Sequence, residues 1–74
     1  CVNVLPGVSS IYLWEGKRCE EMEVLALFKT SRAVAPGLGE RLIELHPYEV
    51  PEWIVLPLES GSESYLGWVR KLVG

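Results

Sequence analysis

His46 is the only histidine in the chain, and Glu52 follows it across the segment Pro47-Tyr48-Glu49-Val50-Pro51. The prolines at both ends restrict the backbone of this segment. A loop so stiffened can hold an imidazole nitrogen and a carboxylate oxygen near one divalent cation. That mixed donor set suits Cu²⁺ first and Zn²⁺ as the alternative. Two donors do not make a recognised metal motif, and each has another use. His46 can end a helix and hydrogen-bond at an interface; Glu52 can accept backbone N–H groups or pair with Lys29 across an interface. Glu49 and Tyr48 share the loop and are assigned to the wall of such a site. The carboxylate of Glu49 is the weaker ligand, because its place between prolines gives it no clear inward direction.

Other constellations are missing. Gly37-Leu38-Gly39 lacks the lysine and the glycine spacing of a phosphate or dinucleotide loop. No serine, cysteine or carboxylate stands with His46 in the sequence context of a catalytic triad. The expectation is therefore a protein that is not an enzyme and takes no organic cofactor.

A net charge of −3 without a basic cluster argues against nucleic acid and against anionic membrane as partners. No apolar run reaches the roughly 20 residues that span a bilayer, and no basic-then-apolar stretch resembles a signal peptide. A cytoplasmic location is the resulting expectation. Cys1 and Cys19 are too few for a disulfide framework and read as free thiols, with Cys19 the more exposed in its polar surroundings.

The elements that must position these groups follow from pattern. Ile11 and Leu13 alternate with Tyr12 and Trp14, so a strand through Trp14 carries apolar bulk on both faces. Glu15-Gly16-Lys17 is a turn, and Glu23–Lys29 is the returning arm. Cys1–Leu5 is a further short strand, with Pro6-Gly7 a break or bulge before Val8. Pro36 starts a helix in which Leu38, Leu42, Ile43 and Leu45 form one stripe that covers a sheet. His46-Pro47 ends it. Trp53–Leu56 reads as a strand closed by Pro57. Ser62 caps a last helix with Tyr65, Leu66, Val69, Leu72 and Val73 on its apolar face. The predicted order is strand, strand, helix, strand, helix.

A 74-residue chain that is 49% hydrophobic carries more apolar weight than a core of this size absorbs, since such a domain buries only about 60% of its unfolded surface. Association of copies is the natural outlet. Tyr12, Trp14 and Trp53 are the residues assigned to that interface.

In Cys1-Val2-Asn3-Val4-Leu5-Pro6-Gly7, Ser10-Ile11-Tyr12 with Trp14-Glu15-Gly16-Lys17, Glu23-Val24-Leu25 with Lys29-Thr30, His46 through Glu52, Leu56-Pro57 and Tyr65-Leu66-Gly67-Trp68-Val69, the chain resembles the CutA family of divalent-cation-tolerance proteins. The resemblance spans nearly the whole chain in order. It implies a ferredoxin-like α+β fold, an antiparallel sheet covered by helices, assembled as a homotrimer through the hairpin. It also implies a role in metal tolerance or response, with His46 and Glu52 matching the family's candidate metal-binding residues. Members of the family have a further N-terminal strand and helix, so residues 1–74 are expected to be one CutA-like domain that is N-terminally incomplete, with an open strand position. Protein-anchoring roles proposed for the family in animals imply an additional protein partner. The competing reading is a structural or regulatory interaction module whose metal binding is incidental.

Overall fold

The β-branched and aromatic residues of the first half form one long hairpin. In the computed structural model, which describes residues 1–74, β1 (Val2–Trp14) and β2 (Lys17–Phe28) pair antiparallel from Val2↔Phe28 to Trp14↔Lys17. Glu15 and Gly16 join them with φ of 51° and 78°. Two consecutive positive φ values give the turn whose twist matches that of the strands, and Lys17 already belongs to β2 rather than to the turn.

Of the break and the bulge expected at Pro6-Gly7, the bulge is present, and the Cys1–Leu5 strand is not separate. It runs into β1 through a bulge between Leu5 and Val8, where Pro6 has no N–H to donate and Gly7 takes φ 75°. Because Leu5 pairs with Leu25 and Val8 with Glu23, the extra residue changes which positions share a face. Asn3 and Leu5 lie with Val8, Ser10, Tyr12 and Trp14 on one side; Val2 and Val4 lie with Ser9, Ile11 and Leu13 on the other.

The helix α1 (Ala35–Leu45) starts one residue before Pro36. Ser31 braces the entry: its Oγ accepts the Val34 N–H at 3.2 Å, and its carbonyl accepts the Ala35 N–H at 3.0 Å. The helix ends at His46, whose extended backbone (φ −75°, ψ 135°) is what a residue before proline adopts. The helix α2 (Glu63–Val73) begins as expected, with Ser62 Oγ accepting the Tyr65 N–H at 3.4 Å. Glu63 in its first turn and Arg70 and Lys71 in its last complement the helix dipole.

Two expectations are corrected here. Trp53–Leu56 forms no ladder and is not a strand; strand geometry needs a hydrogen-bonded neighbour, and none lies beside this segment. Nor does α1 cover the sheet directly. The two strands are the only elements that pack closely on each other, and a cavity of about 1600 Å³ separates β2 from the helices and the 51–58 segment, with Leu25, Phe28, Leu42, Ile54 and Val69 among its walls. Leu38 and Leu42 are half-buried, whereas Ile43 and Leu45 are exposed. The chain is long for its size, 45 × 23 × 19 Å with a radius of gyration of 15.0 Å, against about 11 Å for a compact domain of this length.

What anchors residues 51–58 is a contact with no sequence signature. The Trp53 indole lies on Gly39 of α1 so closely that a Cβ there meets its nitrogen at 2.5 Å. A Cβ on Gly37 meets nothing within 4 Å. Helix propensity alone favours alanine at both sites by about 1 kcal/mol. Gly37→Ala is therefore expected to raise the thermal midpoint, and Gly39→Ala to lower it by displacing Trp53, with the red shift of Trp fluorescence on unfolding as an independent check.

Candidate functional site

The residues singled out in the sequence follow one another where α1 hands the chain to the loop, and of them only His46 and Tyr48 touch. The backbone N–H of His46 donates to Leu42 O at 2.9 Å, which fixes its Cα at the end of the helix. Its Nδ1 then accepts the backbone N–H of Tyr48 at 3.1 Å. The two rings meet edge to face, centroids 4.6 Å apart and planes at 60°. The imidazole is thus in contact with both the amide and the ring of one loop residue, Tyr48.

His46 and Glu52 border the same large cavity, and Tyr48 borders it too. A smaller cavity of about 490 Å³ lies on the other side of the loop, between it and the hairpin, with Tyr12, Trp14, Glu21, Tyr48, Glu49 and Glu52 in its lining. Glu49 therefore faces the smaller cavity and Glu52 faces both. The second site-wall assignment, Tyr48, also touches both cavities. The phenol of Tyr12 is raised above its ordinary pKa of 10.0, first by desolvation and then by the Glu21 carboxylate across the ladder.

Within the chain Glu52 has no ion-pair partner. The two ion pairs are Arg18–Glu20 at 3.2 Å and Arg41–Glu44 at 3.0 Å, both on exposed side chains where such pairs contribute little. No group of three or more His, Cys or carboxylate side chains is placed to hold a metal ion. By chemistry the donors His46 and Glu52 fit a divalent cation; by number they are an incomplete set.

The residues assigned from sequence to an interface divide. Tyr12 and Trp14 are exposed on the hairpin, 37% and 43%, while Trp53 is half-buried with its ring on Gly39. Sequence reasoning missed that contact and the Tyr48 amide on His46. A glycine at the fifth position of a helix could have signalled the first; nothing in residue type signalled the second.

The architecture and most of the sequence have known counterparts. The CutA1 divalent ion tolerance protein family model matches residues 1–72. The chain belongs to that family. Over 74 residues it is 47% identical to the divalent-cation tolerance protein CutA of Thermus thermophilus, covering 100% of this chain and 72% of the relative. With protein CutA of Homo sapiens it shares 47% identity over 72 residues, 97% of this chain but 40% of the relative, so the chain spans less than half of that protein's length. The solved Thermus thermophilus structure superposes with a TM-score of 0.94 over the whole chain and 72% of its own length. A PII-like protein CutA from Nostoc sp. PCC 7120 in apo form, 38% identical, gives 0.92 with the same coverage. The fold class is accordingly α+β, shared with these CutA structures.

The cysteines reverse the expected order of exposure. Both are free, but Cys1 is exposed and Cys19 is half-buried, its Sγ 3.7 Å from the Lys17 carbonyl. No helix is long and apolar enough to cross a membrane. Thiol titration with a chromogenic disulfide should resolve two phases, the faster of which disappears in Cys1→Ser.

Proposed function

We propose that this chain serves divalent-cation tolerance as a metal-binding, non-catalytic protein, assembled as a homotrimer. One observation carries the reading: in a chain that matches the CutA1 family over nearly its whole length, the only histidine and Glu52 border one cavity at the mouth of a proline-bracketed loop. His46 supplies the nitrogen donor and Glu52 the oxygen donor. Donors from outside residues 1–74 or from another copy complete the sphere, since a site of this type takes about four ligands. Cu²⁺ is the preferred ion and Zn²⁺ the alternative, in keeping with the affinity order of imidazole-containing sites.

Calorimetric titration of the chain with Cu²⁺ and Zn²⁺ tests this. His46→Ala and Glu52→Gln are each expected to weaken binding at least tenfold. Equal affinities for wild type and His46→Ala remove His46 from the site.

A second reading has its own observation. Only 3 of 74 residues are buried, and the chain exposes 6494 Å², about 1,900 Å² more than a compact monomer of this mass. Surface of that size can be covered by further chain or by a partner, and a standard interface is of the same order. On this reading assembly is itself the function, metal binding is incidental, and a further protein partner docks on the assembled form. Tyr12 and Trp14 occupy the hairpin face that copies cover, and Trp53 adds the part of its ring left free by Gly39. Sedimentation of Tyr12→Ser/Trp14→Ser is expected to show smaller species than wild type at the same concentration, with the hairpin's strand signal retained in circular dichroism.

A further inference from the structure

Across the large cavity, β2 and the 51–58 segment turn the same kind of surface toward each other. Every residue from Glu23 through Arg32 and from Pro51 through Leu58 borders that space. A strand that offers a face brings every second residue to its neighbour; one that offers an edge brings them all. Both walls therefore present edges, with main-chain donors and acceptors as well as side chains. The groups of β2 that point away from β1 have no ladder, and no backbone–backbone hydrogen bond involves residues 51–58. The helices add Leu42, Leu66 and Val69 to the walls.

The two edges also share a direction and an order of charge. Glu23 and Glu52 border the smaller cavity as well as the large one, so β2 and the 51–58 segment enter the large cavity side by side, at the end nearer the hairpin turn. Lys29 and Arg32 border it where β2 leaves. None of these four charges belongs to an ion pair within the chain. The space thus runs from a carboxylate pair to a cationic pair, with apolar side chains between them. At about 1600 Å³ it exceeds the roughly 300–1,000 Å³ of small-molecule sites. A small molecule also supplies no row of amides for two strand edges.

We propose that this space is a peptide seat: one extended strand of a separate polypeptide inserts between β2 and the 51–58 segment and hydrogen-bonds to both. Addition of a strand to one sheet edge is an established mode of peptide recognition, and here the added strand meets an edge on either side. Its chemistry follows from the walls. About six residues, roughly 20 Å of strand, match the length from Glu23 to Lys29. They are apolar on both faces, because adjacent Val24 and Leu25 lie on opposite faces of β2 and both border the space. They include no proline, because both edges call for N–H groups. A strand running opposite to both walls meets antiparallel neighbours, the more stable pairing. Charge complementarity then places an acidic residue at its start, beside Lys29 and Arg32, and a basic residue at its end, beside Glu23 and Glu52. The seat is independent of the metal reading and deepens the second one, since it gives the further protein partner a place and a chemistry.

The test uses the whole chain, residues 1–74, labelled with ¹⁵N, and the peptide acetyl-Glu-Thr-Val-Val-Ile-Val-Thr-Lys-amide. Without peptide, the Ile54 and Val55 amides are expected to exchange with solvent within about tenfold of the rate in an unstructured chain. Saturating peptide is expected to slow both at least tenfold, together with those amides between Val24 and Phe28 that exchange fast in the free chain. Interchanging the terminal Glu and Lys of the peptide should weaken binding at least threefold in fluorescence anisotropy, and proline at its fourth position should abolish it. Ile54 and Val55 amides that stay unprotected at saturation overturn the seat, as does equal binding of the proline peptide. Equal binding of the charge-interchanged peptide overturns the stated chemistry of the partner. Protection of both amides before any peptide is added, by a second copy or by chain from outside residues 1–74, also overturns it, and sedimentation at the same concentration tells those two occupants apart. None of these outcomes decides the assembly of copies, which the sedimentation of Tyr12→Ser/Trp14→Ser reads separately.

Discussion

The antiparallel ladder between Val2–Trp14 and Lys17–Phe28 is the interaction on which everything else in this chain depends. It is the only place where two elements pack directly. The helices and the 51–58 segment stand around it at a distance, linked by the chain between them and by the Trp53–Gly39 contact. A two-stranded ribbon is marginal in water by itself. Its persistence here requires surfaces beyond the ladder to be covered, and the exposed Ile11, Leu13, Met22 and Val24 show how much is left to cover.

Much of this order could be read from residue types. The hairpin, its glycine-bearing turn and the irregularity at Pro6-Gly7 follow from φ preferences and from a missing N–H. Both helices follow from apolar spacing, the Ser62 cap and the His46-Pro47 stop. These are local causes, and local causes are written in adjacent residues. The failures are nonlocal. Trp53–Leu56 has the composition of a strand, but composition specifies a willingness to pair and not the presence of a neighbour. The leucine stripe of α1 specifies an apolar face and not the distance to what it faces. Gly39 looked like a weakness in the helix and is the seat of an indole ring.

The loop after α1 shows the same division at the level of chemistry. Residue types drew attention to His46 and Glu52 as a nitrogen and an oxygen donor on a restrained segment. They could not reveal which ring nitrogen was already engaged. That detail depends on the backbone path through Pro47, which turns the Tyr48 amide back toward the imidazole. Donor chemistry is thus a property of sequence, while the engagement of a given donor atom is a property of conformation.

The bulge at Pro6-Gly7 carries a constraint on how this arm can change length. Side chains alternate with a period of two, so the single surplus residue acts as a phase shift between the base of the hairpin and its tip. Adding or removing one more residue there would exchange the aromatic pair with the aliphatic pair at the far end. Adding or removing two would leave both where they are. Viable length variants of this strand should therefore differ by even numbers, a parity rule set by one left-handed glycine several residues away from the side chains it governs.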